Sequence, residues 1–228
     1  MQAKRKLLVA GVALALNAQL VGAATHTVTT GADAGVGSLR AAIEAASSGD
    51  IIKIDSGLDI VLDSPLTNGG KSLIIHADGA AGAGASISPS GTGYRLLEFG
   101  NPIESDDDAS ELSQIILAGL TLTGADSQAP GGAMYGENID LTLFQSSITG
   151  NSGVLAGGGA LLRRSAVCLD SATISDNELQ THALSAFTAD GMFGLGGGMA
   201  IEGTLGNTKY GVASCARRVA EGEVFGLS

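Results

Sequence analysis

The strongest constraint on the fold is a repeat of 26 residues in the middle of the chain. Three segments align without gaps, and their starts are evenly spaced at Gln114, Asp140 and Ala166. Each contains short runs that alternate apolar and polar residues, separated by Gly, Asn, Asp and Ser, which is typical of strands and turns. A unit of this size cannot bury its own inner face, so we expect successive units to stack as a parallel β solenoid.

The aligned positions predict which side chains stack. We expect one internal column of Leu122, Ile148 and Ile174, and a second of Leu117, Leu143 and Leu169. Asn151 and Asn177 also coincide, which predicts an amide ladder at a turn. Glycine clusters follow the same spacing at residues 131–134 and 157–161, and a third, at 196–199, arrives late and indicates an insertion around residues 179–193. The alternative, a β-sandwich with irregular strands, does not explain why both intervals between the three segments are 26 residues long.

The composition agrees with tightly wound strands. The chain has 35 glycines, eight aromatic residues and no tryptophan, so its apolar content comes from Ala, Leu, Ile and Val. These small and branched residues suit a solenoid better than a helix bundle.

Residues 24–49 predict a strand and a capping helix before the first coil. We expect a strand at residues 27–30. Ser38 is then expected to be the N-cap of the helix, and Gly49 to end it. One apolar stripe runs along that helix, at Leu39, Ala42, Ile43 and Ala46. Such a helix covers the open end of a stack and blocks edge-to-edge aggregation.

Residues 1–23 have the three parts of a secretory signal peptide. Lys4, Arg5 and Lys6 precede a ten-residue apolar run, too short to span a bilayer permanently, and small residues end at Ala23. The formal charge is −11, and removal of this segment leaves nine cations against 23 acids, or −14. A surface this negative repels phosphate backbones, so we expect no nucleic-acid partner. No later segment predicts a transmembrane helix, and we expect a secreted or cell-surface protein.

Several motifs resemble one family. Residues 27–54 (TVTTGADAGVGSLRAAIEAASSGDIIKI), the ITGN and ISDN segments at 148–151 and 174–177, and the GGAM and GGAL tetrads resemble polymorphic outer membrane proteins and autotransporter passengers. The resemblance covers roughly residues 27–203. It implies an all-β, right-handed parallel β-helix of the pectin-lyase-like fold, with coils over residues 50–203 and a short N-terminal capping helix.

The carboxy-terminal part departs from this pattern. Residues 204–228 lack the expected rung, and we expect an atypical, loosely packed tail, as in an incomplete or truncated array. Cys168 and Cys215 permit one disulfide in an exported protein, but Cys168 lies in a strand-like run, so a buried thiol is the alternative.

The sequence contains no pattern that predicts catalytic, cofactor-binding or metal-ligating residues. Asp106, Asp107 and Asp108 form a consecutive triplet in a polar loop, where solvated charge is expected. Arg163 and Arg164 follow a glycine turn, where exposed charge is also expected.

The remaining polar candidates do not form a site either. Asp170 and Asp176 have no established pairing of the kind that a glycosidase needs. The three histidines, His26, His76 and His182, lack metal-ligand spacing, so we expect no metal or cofactor.

Two function classes remain. The first is an adhesin-like binding module that presents loops 101–113 and 179–193 to an extracellular ligand, such as a host surface, matrix or polysaccharide. The second is a secreted polysaccharide lyase or glycoside hydrolase, which parallel β-helices also support. A cleavage screen against acidic and neutral polysaccharides separates them.

The leader pattern gives a first test. We expect cleavage after Ala23, because small residues there match what a signal peptidase reads. N-terminal sequencing of exported protein should begin at Ala24 or within a residue of it. Protein found only in the cytoplasm with Met1 intact would contradict the export prediction.

Overall fold

Short strands are the main regular structure in the described part of the chain. The computed structural model describes residues 22–77, 84–101, 112–180, 197–202 and 211–212. Its helix, α1, is Leu39–Ala45. The strands in chain order are β1 Thr25–Val28, β2 Ile51–Ile54, β3 Asp59–Leu62, β4 Leu66–Thr67, β5 Leu73–Ala77, β6 Ala85–Pro89, β7 Leu97–Gly100, β8 Ser113–Ala118, β9 Leu120–Thr123, β10 Met134–Glu137, β11 Ile139–Phe144, β12 Ser147–Thr149, β13 Ser152–Val154, β14 Ala160–Arg163, β15 Ala166–Asp170, β16 Thr173–Ser175, β17 Glu178–Gln180, β18 Met199–Glu202 and β19 Gly211–Val212.

The strands form three larger parallel sheets and one pair. The first sheet has the order β1-β2-β5-β8-β11-β15-β19, the second β18-β14-β10-β7-β4, and the third β16-β12-β9-β6-β3, while β13 pairs with β17. From β8 onward the chain visits the first, third and second sheets in turn before it returns to the first. The predicted all-β fold of parallel strands is confirmed. The closed right-handed β-helix stays a prediction.

The register reproduces the repeat found in the sequence. Leu122 pairs with Ile148, and Ile148 with Ile174, so neighbouring circuits are offset by 26 residues. Between β14 and β18 the offset grows to 39 residues, as in the Arg163–Glu202 pair. The thirteen extra residues fall between Gln180 and Gly197, because β17 still keeps the 26-residue offset. The predicted insertion is therefore confirmed.

Left-handed residues mark the corners between sheets. Gly119, Gln145 and Ser171 lie one circuit apart with φ of 67°, 48° and 53°, and they turn the chain from the first sheet to the third. Asn138 and Arg164, with φ of 55° and 47°, turn it from the second sheet to the first. Residues other than glycine rarely adopt this backbone conformation. Its repetition at equivalent positions indicates that the stacked neighbours impose it.

The main hydrophobic core runs through the stack. Ile60, Ile87, Leu122 and Ile148 follow one another in register along the third sheet, and all four are buried. Ile174, in the last described circuit, is partly buried and packs against the same core. The predicted column is confirmed and extends two circuits further toward the N-terminus than the aligned repeats.

The second predicted column is also in register, but its last member is not buried. Leu143 pairs with both Leu117 and Leu169, yet Leu169 is 41% exposed. The described pairing of β19 covers Ala166 and Val167 and stops before Leu169. Burial of this column thus depends on a further strand.

The asparagine ladder is present. The Nδ2 of Asn151 donates to the Oδ1 of Asn177 at 2.9 Å, and the Oδ1 of Asn151 accepts the backbone N–H of Ala125 at 3.0 Å. The Nδ2 of Asn177 donates to the carbonyl of Ile148 at 2.8 Å. The ladder satisfies buried backbone groups at a corner that no strand pairing serves.

The N-terminal segment differs in its boundaries from the prediction. The strand lies at Thr25–Val28 rather than 27–30, because its hydrogen-bonding partner, β2, sets its extent. Ser38 caps α1 as predicted, accepting the N–H of Ala41 at 3.2 Å. The helix ends at the cap residue Ala46, earlier than expected, and Gly49 with φ of 93° serves the following turn.

Polar contacts at both ends of α1 hold it against the stack. The Nζ of Lys71 donates to the carbonyls of Ile43 and Ala46 at 2.7 and 2.9 Å, which places a cation at the carboxyl end of the helix. Arg40 pairs with Asp33 at 2.6 Å, and its Nη1 donates to the carbonyl of Pro65. The buried stripe of the helix includes Leu39, Ala42 and Ile43.

Cys168 resolves the alternatives left by the sequence. It is fully buried in β15 and is disulfide-bonded, and Cys215 is the only other cysteine of the chain. The buried-thiol alternative is therefore wrong. Most of the tail at residues 204–228, Cys215 included, lies outside the described residues, as do residues 1–21 of the predicted signal peptide.

The core column gives a test of the register. Ile148→Asp should lower the free energy of unfolding by about 4 kcal/mol or more, because it removes a buried aliphatic side chain and leaves an unpaired carboxylate in a dry position. Chemical denaturation measures the change. The control is Val61→Asp, which alters an exposed outward position of the same sheet. Equal effects of the two variants would contradict the inward column.

Candidate functional site

The outer face of the second sheet carries a groove of about 310 Å³. Strands β4, β7 and β10 and the turns after β4 and β7 line it. We call it the tyrosine–glutamate groove. Its lining residues are Thr67, Gly69, Glu98, Phe99, Gly100, Asn101, Tyr135 and Glu137.

Strand alternation places the polar side chains of the groove. In β7, Leu97 and Phe99 are buried, so Glu98 between them points outward. The parallel register sets Glu98 beside Tyr135 and Thr67 beside Glu98. Three neighbouring strands thus contribute one row of hydroxyl and carboxyl groups.

A glycine is required at the end of β7, beside the backbone of Glu137. Gly100 is the register partner of Glu137, and its φ is 103°. A Cβ atom at Gly100 would lie 1.8 Å from the carbonyl oxygen of Glu137. Gly100 is therefore required both by its backbone conformation and by the close approach of the neighbouring strand.

Glu137 is the most buried acid of the groove. Glu137 is 6% exposed. Its Oε2 accepts a hydrogen bond from the hydroxyl of Tyr135 at 2.7 Å, and its Oε1 accepts one from the Nη2 of Arg164. The charge is thus neutralised and hydrogen-bonded, as a buried carboxylate requires.

Two further arginines border Tyr135. The guanidinium of Arg95 lies 5.0 Å from the centre of the Tyr135 ring, and its Nε is 3.6 Å from the Oε1 of Glu98. The Nε of Arg163 pairs with the Oε2 of Glu202 at 2.9 Å. Along the register, the acid Glu137, the cation Arg163 and the acid Glu202 therefore follow one another on β10, β14 and β18.

The surroundings shift the pKa values of Tyr135, Arg95 and Arg163. Burial, reinforced by the hydrogen bond to Glu137, raises the pKa of Tyr135 above its ordinary value, so the phenol stays a proton donor at neutral pH. Burial lowers the pKa of Arg95, while a hydrogen bond with Tyr135 raises that of Arg163. Shifted groups that line a concave surface are typical of functional sites, although ion-pair networks also produce them.

The outer face of the third sheet presents a second, uncharged surface. It forms a groove of about 320 Å³ whose lining is rich in hydroxyl groups, those of Thr121, Ser147, Thr149, Ser171, Thr173 and Ser175 among them. The Oγ of Ser147 donates to the Oγ1 of Thr121 at 3.1 Å, and Thr149 and Ser175 share a hydrogen bond of 3.2 Å. We call this surface the hydroxyl face. Its hydroxyls bond from circuit to circuit.

The structure corrects the interpretation of the arginine pair. Arg163 is a largely solvent-facing side chain, as expected, but Arg164 is mostly buried and bonds to Glu137. Its left-handed backbone conformation at the corner turns the side chain back over the sheet. A position shortly after a glycine turn therefore does not by itself predict an exposed arginine.

Sequence reasoning missed Glu98, Tyr135 and Glu137, which the structure brings together. The available signal was the alternation of polar with buried residues in two aligned segments, LEFG and MYGE. The missing information was the pairing of β7 with β10, across an interval that interrupts the 26-residue spacing.

The other sequence candidates do not join this groove. His26 pairs with Asp50 at 3.0 Å near the N-terminus, and the Oδ1 of Asp170 accepts from Ser171. Asp106, Asp107, Asp108 and His182 lie outside the described residues. Among the residues that the structure describes, no three His, Cys, Asp or Glu side chains cluster as a metal site would require.

Comparisons with known proteins found no relative of this chain. No family model, curated protein or solved structure matches the chain. In the ranges that the structure describes, no helix has the length and apolar character needed to cross a membrane.

Tyr135→Phe tests the electrostatics of the groove. Loss of the hydroxyl leaves the Oε2 of Glu137 without its donor and should lower the free energy of unfolding by about 1–2 kcal/mol. Because the phenol has a raised pKa, the parent should show a tyrosine that ionises at unusually high pH in an absorbance titration, and this step should vanish in the variant. The control, Tyr94→Phe, removes a tyrosine outside the groove, and the late step should survive it. Persistence of the step in Tyr135→Phe would contradict the assignment.

Proposed function

We propose that this chain is an exported right-handed parallel β-helix that acts as an adhesin-like binding module, and that its tyrosine–glutamate groove binds a neutral polysaccharide. The leader pattern of residues 1–23 supports export, and the parallel sheets with their 26-residue register support the β-helix. The observation that carries the binding function is the row of Glu98, Tyr135 and Glu137 on an outer sheet face.

The chemistry of the groove suits hydroxyl groups. The side chain of Glu98 is 43% exposed, so its carboxylate keeps acceptor capacity that vicinal sugar hydroxyls can use. Thr67 and Asn101 add groups that both donate and accept hydrogen bonds, and both line the groove. A concave surface with a few fixed polar groups is typical of ligand sites.

The charge of the protein selects among polysaccharides. With a formal charge of −11, or −14 without the leader, the molecule repels polyanions at long range. The partly exposed Glu98 in the groove adds to this repulsion, so a neutral glycan fits better than an acidic one. The hydroxyl face is uncharged along its described pairs and offers a second surface of compatible chemistry.

The position of one predicted loop agrees with a binding function. Asn101 lines the groove and is the residue from which the polar segment 102–111 departs. Its carbonyl accepts a hydrogen bond from the Nδ2 of Asn138 at 2.7 Å, which fixes that end of the segment to the sheet. A loop that begins at a rigid groove is where such proteins carry specificity.

Binding measurements on neutral oligosaccharides test the proposal. Calorimetry with β-linked and α-linked neutral glucans should show saturable binding, and Glu98→Gln should weaken it about tenfold, since a charge-assisted hydrogen bond contributes about 1.4 kcal/mol or more. The matched control is Glu178→Gln, an exposed glutamate of β17 away from the groove. Equal affinities of the two variants, or binding of acidic glycans alone, would refute the proposed site.

A polysaccharide lyase or glycoside hydrolase is the second candidate, because two carboxyl groups line the same groove. The arrangement favours binding, however, since Glu137 is already held by a phenol and a guanidinium, which occupy one acceptor position on each of its two oxygens. Incubation with acidic and neutral polysaccharides distinguishes the two. New reducing ends or unsaturated products that disappear in Glu137→Gln would establish the enzyme instead.

A further inference from the structure

The carboxylate of Asp50 holds the start of the first strand. Its Oδ1 accepts the backbone N–H of Ala24 at 2.8 Å, and its Oδ2 accepts the N–H of Ser47 at 2.8 Å. The Nε2 of His26 lies 3.0 Å from the same Oδ2. The residue is 5% exposed, so this acid is enclosed at the end of the stack that α1 covers.

We propose that hydrolysis of the Ala23–Ala24 bond creates an α-ammonium group on Ala24 that Asp50 binds as an ion pair, locking β1 onto the stack. A peptidase and one water molecule cleave the bond; the carboxyl group goes to Ala23 and the amine, which takes up a proton, stays on Ala24. This inference rests on the proposed export only for the identity of the bond that is cut.

The geometry needs little change to accept the new group. The nitrogen of Ala24 already lies at hydrogen-bond distance from the carboxylate, and the carbonyl of Ala24 accepts the N–H of Ile51 at 2.8 Å. The residue is thus held on both sides of its Cα atom. Gly22 and Ala23 are exposed and precede β1, so the bond before Ala24 is open to a peptidase.

The electrostatics favour an ion pair at this position. The hydrogen bond from His26, with the backbone N–H groups of Ser47 and Ala24, lowers the pKa of Asp50 to about 2, so the carboxylate is ionised at neutral pH. Its contribution to stability is present above the ordinary carboxyl pKa and is lost as the pH falls toward 2. An ammonium 2.8 Å away replaces a neutral donor by a charged one, and enclosure strengthens that attraction.

Protein that begins at Ala24, released from an N-terminal fusion by a protease in vitro, tests the ion pair without any export step. NMR titration should place the pKa of the Ala24 amine at about 9, above the ordinary value of about 7.7–8.0, because the opposite charge favours the protonated form. Acetylation of that amine keeps the N–H donor but removes the charge. It should lower the thermal midpoint of the parent by several degrees.

The matched variants identify Asp50 as the partner. In Asp50→Asn, acetylation should no longer change the thermal midpoint, whereas in Asp55→Asn, which removes an exposed acid of the same coil, it should act as in the parent. An amine pKa of about 7.7–8.0 in the parent protein would overturn the proposal even if Asp50→Asn failed to fold. Absence of cleavage after Ala23 in cells would refute the proposed export and leave the ion pair standing.

Discussion

Backbone hydrogen bonding between successive circuits is the constraint on which the rest of this structure depends. Each inner strand bonds to the strands one circuit before and after it, so every circuit must return to the sheet in register, whatever the number of residues between corners. A slip of one residue would turn every inward side chain outward. Ile60, Ile87, Leu122 and Ile148 remain in one buried column because this register is kept.

The corners enforce the register where strands do not. Gln145 and Ser171 adopt left-handed conformations one circuit apart, and the ladder of Asn151 and Asn177 satisfies backbone groups at another corner. Extra residues are admitted only where they leave the stack and return to it in register, as the offset of 39 residues between β14 and β18 shows. Surface variation is therefore confined to insertions and outward positions.

The tyrosine–glutamate groove follows from the same rule. Outward positions of neighbouring strands meet because the inward positions are in register, and this sets Glu98 beside Tyr135 and Gly100 beside Glu137. The glycine permits the close approach, and the corner conformation of Arg164 directs a cation to the buried carboxylate. A group of outward polar side chains thus forms on the sheet face while the core positions stay in register.

The sequence by itself determined the repeat, the parallel strands, the core column and the helix that begins after Ser38, because each depends on local pattern: alternation, spacing and the Ser38 N-cap. It did not determine the Glu98–Tyr135 neighbours, since β7 and β10 are separated by a segment that breaks the spacing. Nor did it reveal the disulfide of Cys168 or the burial of Arg164. Those features depend on which distant segments stack, and backbone pairing and side-chain geometry in three dimensions decide that.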